Sequence, residues 1–317
     1  MNNKISTGAL TEGAIIAAIT ALLGVLSYYI PFLTLLIYIW PIPIIILGKR
    51  HGMAVSIVAT IAAGLILSFL TPPIHAIQLV IMYGLVGIVL GYAYQKDMGI
   101  GKAILLGYVV ALVSTVLLLQ FYHLATGVNI TDELGQMMKI SLQEITKIYQ
   151  QSGIDEGLIE ETMKQVKNTL QTILQLLPVL LLMIPFIITI INMWIAEKIL
   201  RRLGYPVKNL PPFWNWQLPN HVGFGLFAIL FIVVLGNYLK IPKIDMVYLN
   251  LVYLIFLVFY VQGLAIVAYF FHEKKVSKGL WVLGFLLILI VPLFQIGVQF
   301  LGLFDTIFHF RSKMKLR

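Results

Sequence analysis

The chain has 317 residues, of which 60% are hydrophobic and only 11% are charged. Soluble globular domains carry about 25% charged residues, so this composition excludes an ordinary water-soluble protein. The formal charge of +9 does not indicate nucleic-acid binding, because the basic residues lie between long apolar runs. The absence of Cys from the sequence excludes disulfides, thiolate catalysis and Cys-ligated metal sites.

Apolar runs of about 20 residues recur along the chain, the length that an α-helix needs to cross a bilayer. They lack the period-two alternation of barrel strands. We therefore predict an all-α, polytopic membrane protein embedded in the lipid bilayer. The predicted spans cover residues 13–30, 32–48, 53–71, 74–94, 103–123, 174–196, 221–239, 246–271 and 279–303.

Basic residues in the short connections predict the orientation, because cytoplasmic loops are enriched in Lys and Arg. The basic residues around the first six spans all share one side: Lys4, Lys49, Arg50, Lys96, Lys102, Lys198, Arg201 and Arg202. The N-terminus is therefore predicted to face the cytoplasm from the cell (inner) membrane. With nine spans the basic C-terminal tail would lie outside, so eight spans with a cytoplasmic tail is the alternative.

The long connection 124–173 is acidic and is predicted to lie outside. Two sets of its apolar residues recur at helical spacing and predict two amphipathic helices: Leu134, Met138, Leu142, Ile145 and Tyr149, then Ile159, Met163, Val166 and Leu170. The two helices either fold over the outer mouth as a lid or lie in the headgroup region.

Proline and tryptophan cluster in the connection 203–220, where helix breakers are mixed with rings that favour the membrane interface. We predict that it divides the chain. Residues 1–202 form a six-span core with the insertion 124–173, and residues 221–317 form three further spans with a basic tail.

Catalytic signatures for hydrolases, metalloproteases and ATP-binding loops do not occur in the sequence, and the six His residues lack metal-ligand spacing. We predict no enzyme activity, no metal site and no cofactor. The predicted spans contain no carboxylate, and Glu12 and Glu197 at span ends are expected to be solvated. An ion-coupled carrier is therefore disfavoured, although coupling through carbonyl oxygens stays open, as does a membrane enzyme with an unrecognised site.

Two polar pairs stand near the predicted outer ends of neighbouring spans. His75 and Gln78 are three residues apart, and Gln120 and His123 repeat that spacing. Residues three apart share a helix face, so these four are predicted to converge on one polar ligand. The alternative is that these four side chains are simply solvated at the ends of their helices. Six side chains inside the spans are predicted to form hydrogen bonds between helices: Asn192, Trp194, Asn250, Gln262, Gln295 and Gln299.

Small residues form a stripe on the first span, where Ala14, Ala17, Ala18 and Ala21 give overlapping small-xxx-small pairs. Such a stripe lets another helix approach closely. It indicates either an internal packing face or a docking face for a separate membrane partner.

These features resemble two families. The alanine-rich first helix, Trp40-Pro41-Ile42-Pro43 and the Gly48-Lys49-Arg50-His51-Gly52 turn resemble the S components of energy-coupling factor (ECF) transporters. The whole chain, with its Trp214-Asn215-Trp216-Gln217-Leu218-Pro219 stretch, resembles the YybS-like family of uncharacterised bacterial membrane proteins.

The S-component resemblance implies a protein that captures a vitamin-like molecule or a metal ion from outside. It would deliver this solute by docking on a transmembrane coupling protein with ATPase subunits. By the same analogy Ala14, Ala17, Ala18 and Ala21 would form the docking surface. The long insertion and the three added spans depart from that family.

We therefore predict a transport protein that binds a small solute and has no ATPase activity of its own. The alternative is a membrane scaffold or regulator that binds other proteins through its outer helices and inner loop.

Overall fold

A computed structural model describes residues 6–151, 156–308 and 311, and within this part of the chain all regular secondary structure is helical. The predicted all-α class is confirmed. The α-helices, in chain order, are α1 (Thr7–Tyr29), α2 (Pro41–His51), α3 (Met53–Leu70), α4 (Pro73–Leu79), α5 (Leu85–Gln95), α6 (Ile100–Thr126), α7 (Ile130–Gln151), α8 (Glu156–Gln175), α9 (Leu177–Arg202), α10 (Asn220–Tyr238), α11 (Ile244–Glu273), α12 (Lys278–Ile290) and α13 (Pro292–Phe308).

Three short helical segments of other types lie between the α-helices. A 3₁₀ helix, Pro31–Ile39, precedes α2, and another, Phe213–Asn215, lies in the connection before α10. A π-helical turn, Val80–Gly84, joins α4 to α5. The second and fourth predicted spans are thus not single regular α-helices.

Eight helical segments of the described residues are long and apolar enough to cross a membrane, and a ninth span results if α12 and α13 count as one. These two helices meet at an angle of 102°. Val291 between them is extended, as the residue before a proline prefers, and Pro292 starts the next helix.

The contacts of the chain define two compact units. Unit 1 comprises Met1–Lys167 and Leu180–Leu210, and unit 2 comprises Asn168–Val179 and Pro211–Arg317. Unit 1 ends within the predicted connection 203–220. Asn168–Val179, which leads into α9, belongs to unit 2 and not to unit 1.

Unit 1 is built on a close crossing of α2 and α5. A Cβ on Gly48 would lie 2.8 Å from the Cα of Gly91, so only glycine allows these backbones to approach this closely. Trp40, Ile44 and Leu47 are fully buried beside this crossing. Burial of such large side chains gives the unit a dense core.

Unit 2 is built on an even closer crossing of α11 and α13. A Cβ on Gly263 would overlap the carbonyl oxygen of Val298, and a Cβ on Gly302 would overlap that of Phe259. Small residues at helix interfaces are the usual means of close packing inside a membrane.

The amphipathic helices predicted in the outer connection correspond to α7 and α8, while the break between them at residues 152–155 lies outside the described residues. α7 is joined to α6 by the Tyr122 hydroxyl, which donates to the Glu133 carboxylate at 2.5 Å. That α7 and α8 form a lid, or that they lie in the headgroup region, stays a prediction.

Candidate functional site

Two interrupted helices meet in the middle of unit 1. The second span changes from a 3₁₀ helix to α2 at Trp40, and the fourth contains the π turn. The Trp40 ring lies against this turn, 3.5 Å from where a Cβ on Gly84 would stand. Irregular backbone at membrane depth is tolerated where it is buried or lines a cavity, and π turns are frequent at functional sites.

The proline pair of the second span explains its interruption. Pro41 and Pro43 have no N–H, so neither donates to the carbonyl four residues earlier. The α-helical ladder can therefore begin only at Pro41, and the residues before it form the tighter 3₁₀ helix. In the fourth span Gly84 has no side chain to collide with the Thr60 methyl, which would lie 2.6 Å from an added Cβ.

Buried polar atoms without partners occur on the second span, on α6 and on α9. Among the described residues, the Trp40 Nε1, Ser114 Oγ and Asn192 Oδ1 atoms are buried and have no hydrogen-bond partner. All three side chains are fully buried. The great majority of buried polar groups are hydrogen-bonded, so each exception calls for an explanation such as a missing ligand or ion.

Asn192 of α9 contacts the interrupted second span. Its amide nitrogen donates to the Tyr38 carbonyl at 2.9 Å, and the Tyr38 ring meets the Tyr83 ring of the π turn edge to face at 6.3 Å. α6, which carries Ser114, packs on the same π turn. We call this group the interior polar site: Tyr38, Trp40, Tyr83, Ser114 and Asn192.

The structure gives the four residues predicted to bind a ligand different surroundings. His75 is half-buried beside Tyr28, with ring centroids 4.9 Å apart, and its Nε2 atom is buried without a partner among the described residues. Gln78 is half-buried, whereas Gln120 and His123 are exposed on α6. Ligand contact by these four stays a prediction.

The alanine stripe is divided between two faces of α1. Ala17 and Ala21 are each 1% exposed, on the face of α1 that packs against α3. Ala14 and Ala18 are exposed. The two interpretations of the stripe therefore apply to different residues, since Ala17 and Ala21 form an internal packing face and only Ala14 and Ala18 are available for docking.

The carboxylates near one end of unit 1 are paired, which corrects the expectation that Glu12 and Glu197 are merely solvated. Glu12 forms an ion pair with Arg50, and its carboxylate lies 2.6 Å from the Nε2 atom of the His51 ring. Glu197 is buried and accepts a hydrogen bond from the Leu210 N–H at 2.8 Å. It thereby fixes the chain that follows α9.

Asp97, between α5 and α6, belongs to the same end. Lys49 donates to its carboxylate at 2.7 Å and also to the Tyr94 carbonyl. The Lys49 hydrogen bond and charge, together with the charge of Lys208, hold the pKa of the Asp97 carboxyl below its usual value. These contacts tie α2, the α5–α6 turn and the segment after α9 together.

Unit 2 contains a buried carboxylate that the sequence analysis missed. Asp305 is fully buried and accepts hydrogen bonds from the Arg311 guanidinium at 2.8 Å and from the Gln262 amide at 2.9 Å. Arg311 also donates to the Trp214 carbonyl, and Gln262 accepts from the Leu218 N–H. This network fastens the Pro/Trp-rich segment to α11 and α13.

Four of the six side chains predicted to bond between helices do so in the described residues, and one of them is Gln295 of α13, which donates to the Leu289 carbonyl of α12 at 2.7 Å. Asn192 contacts the Tyr38 carbonyl and Gln262 contacts Asp305, as described above. Asn250 on α11 accepts from the Val179 N–H at 3.0 Å and donates to the Gln175 carbonyl at 2.7 Å. It satisfies backbone groups at the break between α8 and α9.

The helical fold, the apolar spans and the buried polar groups together define a polytopic integral membrane protein. The chain belongs to the family described as Predicted membrane protein (DUF2232), whose pattern matches residues 18–306. It is similar to the Uncharacterized protein YybS of Bacillus subtilis (strain 168), with 28% identity over 98% of this chain and 99% of the relative. The YybS-like resemblance is thereby confirmed. No solved structure matches the chain significantly.

Proposed function

We propose that the protein is a membrane transport protein that binds a small polar solute at the interior polar site. The observation that carries this proposal is the set of three fully buried, unpartnered polar atoms on Trp40, Ser114 and Asn192. Their desolvation is unfavourable unless something supplies hydrogen bonds. A bound solute supplies them.

The surrounding backbone supports this assignment. Discontinuous helices near the middle of the bilayer commonly form the substrate sites of transporters. In unit 1 the break at Trp40 and the π turn Val80–Gly84 lie against each other. The site therefore differs from the predicted helix-end site at His75.

The remaining elements of the proposal come from the sequence. The protein has no enzyme activity of its own. The end of unit 1 at which Glu12, Asp97 and Glu197 contact basic residues lies on the cytoplasmic side of the cell (inner) membrane. By analogy with S components, a transmembrane coupling protein with ATPase subunits would dock on the exposed residues Ala14 and Ala18 of α1. The scaffold alternative has no comparable buried feature in its favour.

Native mass spectrometry of the protein purified from its own host in mild detergent tests the proposal. We expect a retained small molecule on the wild-type chain and its loss from Ser114→Ala, which removes only the unpartnered hydroxyl. Ala18→Leu should keep the small molecule and lose any co-purified ATPase-bearing partner.

The control is Thr126→Ala on the same helix, which removes an exposed hydroxyl and should retain the small molecule. A wild-type chain that carries no solute but is bound to non-transport proteins would overturn transport in favour of a scaffold.

A further inference from the structure

Basic residues at one end of unit 1 fall into two groups. Lys49 and Lys208 contact Asp97, Arg50 contacts Glu12, and Arg201 contacts Glu197. Other exposed cations there have no acidic partner among the described residues: Lys96, Lys102, Lys198 and Arg202. The pairing within the protein therefore leaves positive charge for another molecule to neutralise.

Two of the unpaired cations share one face of the last turns of α9. Trp194, Lys198 and Arg202 are spaced four residues apart, so their side chains lie one above the other on that face. All three side chains are exposed. We call Trp194, Lys198 and Arg202 the basic groove.

The basic groove lies where the surface of α9 changes from apolar to cationic. Ile191 and Ile187 are exposed one and two turns before Trp194, on the same side of α9. Trp194 is 51% exposed, and the Lys198 ammonium stands 3.2 Å above its ring. Exposed tryptophan next to Lys and Arg is typical of the level of lipid headgroups, and a cation over an indole face is held in place.

We propose that the basic groove binds the headgroup of an anionic phospholipid. The isoleucines contact the acyl chains, the Trp194 ring lies at the glycerol level, and the Lys198 and Arg202 cations contact the phosphate. Basic clusters that directly follow a membrane span recognise acidic lipids in this way.

A lipid-binding measurement on the delipidated, full-length protein tests this proposal. Phosphatidylglycerol or phosphatidylcholine is added in detergent, and the bound lipid is counted by native mass spectrometry. We expect wild-type protein to prefer phosphatidylglycerol. The double variant Lys198→Gln, Arg202→Gln should lose at least about tenfold in affinity for it.

The matched control removes the same charge elsewhere, with Lys139→Gln and Lys147→Gln on the exposed surface of α7. It should retain the wild-type preference. Equal loss of phosphatidylglycerol in both double variants would overturn the proposal, because a non-specific charge effect would then explain the binding. Equal binding of both lipids by the wild type, or displacement of phosphatidylglycerol by inorganic phosphate alone, would also overturn it.

Discussion

Arg311→Met is expected to destabilise the protein by about 3 to 5 kcal/mol, because it leaves the Asp305 carboxylate buried without its cation. The side chains of Arg311 and Asp305 are 6% and 0% exposed, so water cannot replace the lost partner. Asp305→Asn alone should also be strongly destabilising, since it leaves the guanidinium unpaired. Denaturant unfolding in detergent, followed by tryptophan fluorescence, measures both changes.

The double variant Asp305→Asn, Arg311→Met distinguishes a buried charge from ordinary packing. It contains no unpaired charge, so its loss of stability should be smaller than the sum of the two single losses. Lys278→Met, which removes an exposed cation of the same unit, should change the stability by no more than about 0.5 kcal/mol. Additive losses in the double variant would show that Asp305 and Arg311 do not act as a pair.

Ala17→Leu is expected to destabilise the protein, whereas Ala18→Leu is expected to leave its stability nearly unchanged, although the two residues are adjacent. Ala17 is 1% exposed on the face of α1 that packs against α3, so extra methylene groups there force the helices apart. We expect a loss of about 1 to 3 kcal/mol. Ala18 is exposed, and its substitution should leave the stability within about 0.5 kcal/mol.

The same unfolding assay compares the two alanine variants. Equal stability of both would mean that α1 does not pack on α3 through Ala17. The comparison also matters for the docking proposal, because loss of a partner from Ala17→Leu would reflect a damaged fold. Only Ala18→Leu and Ala14→Leu report on docking itself.

The membrane spans were predictable because length and polarity alone define them. The predicted ranges 53–71 and 103–123 correspond to α3 and to most of α6, and the two amphipathic helices were visible from their periodicity. The interruption at Trp40 was only partly visible. Pro41 and Pro43 mark it in the sequence, but the π turn in the fourth span inserts one residue without any change in composition.

The interior polar site was not predictable because it depends on which faces of separate helices meet. Spacing places His75 and Gln78 on one face, but it cannot fix the rotation of α6, on which Gln120 and His123 point outward. The alanine stripe shows the same limit, since several registers were available and only the one through Ala17 and Ala21 faces α3. Asp305 was missed because the predicted ninth span ended two residues before it.

Thiol labelling of Ser114→Cys tests the central claim, that the interior polar site receives a solute from water. The natural chain has no cysteine, so a single introduced thiol is read without background. Ala111→Cys, one turn earlier and equally buried, is the control. We predict that a small water-soluble methanethiosulfonate reagent, applied to membrane vesicles, modifies Cys at 114 and leaves Cys at 111 unmodified. Failure to modify either position would show that Ser114 lies in dry helix packing and would contradict a solute site there.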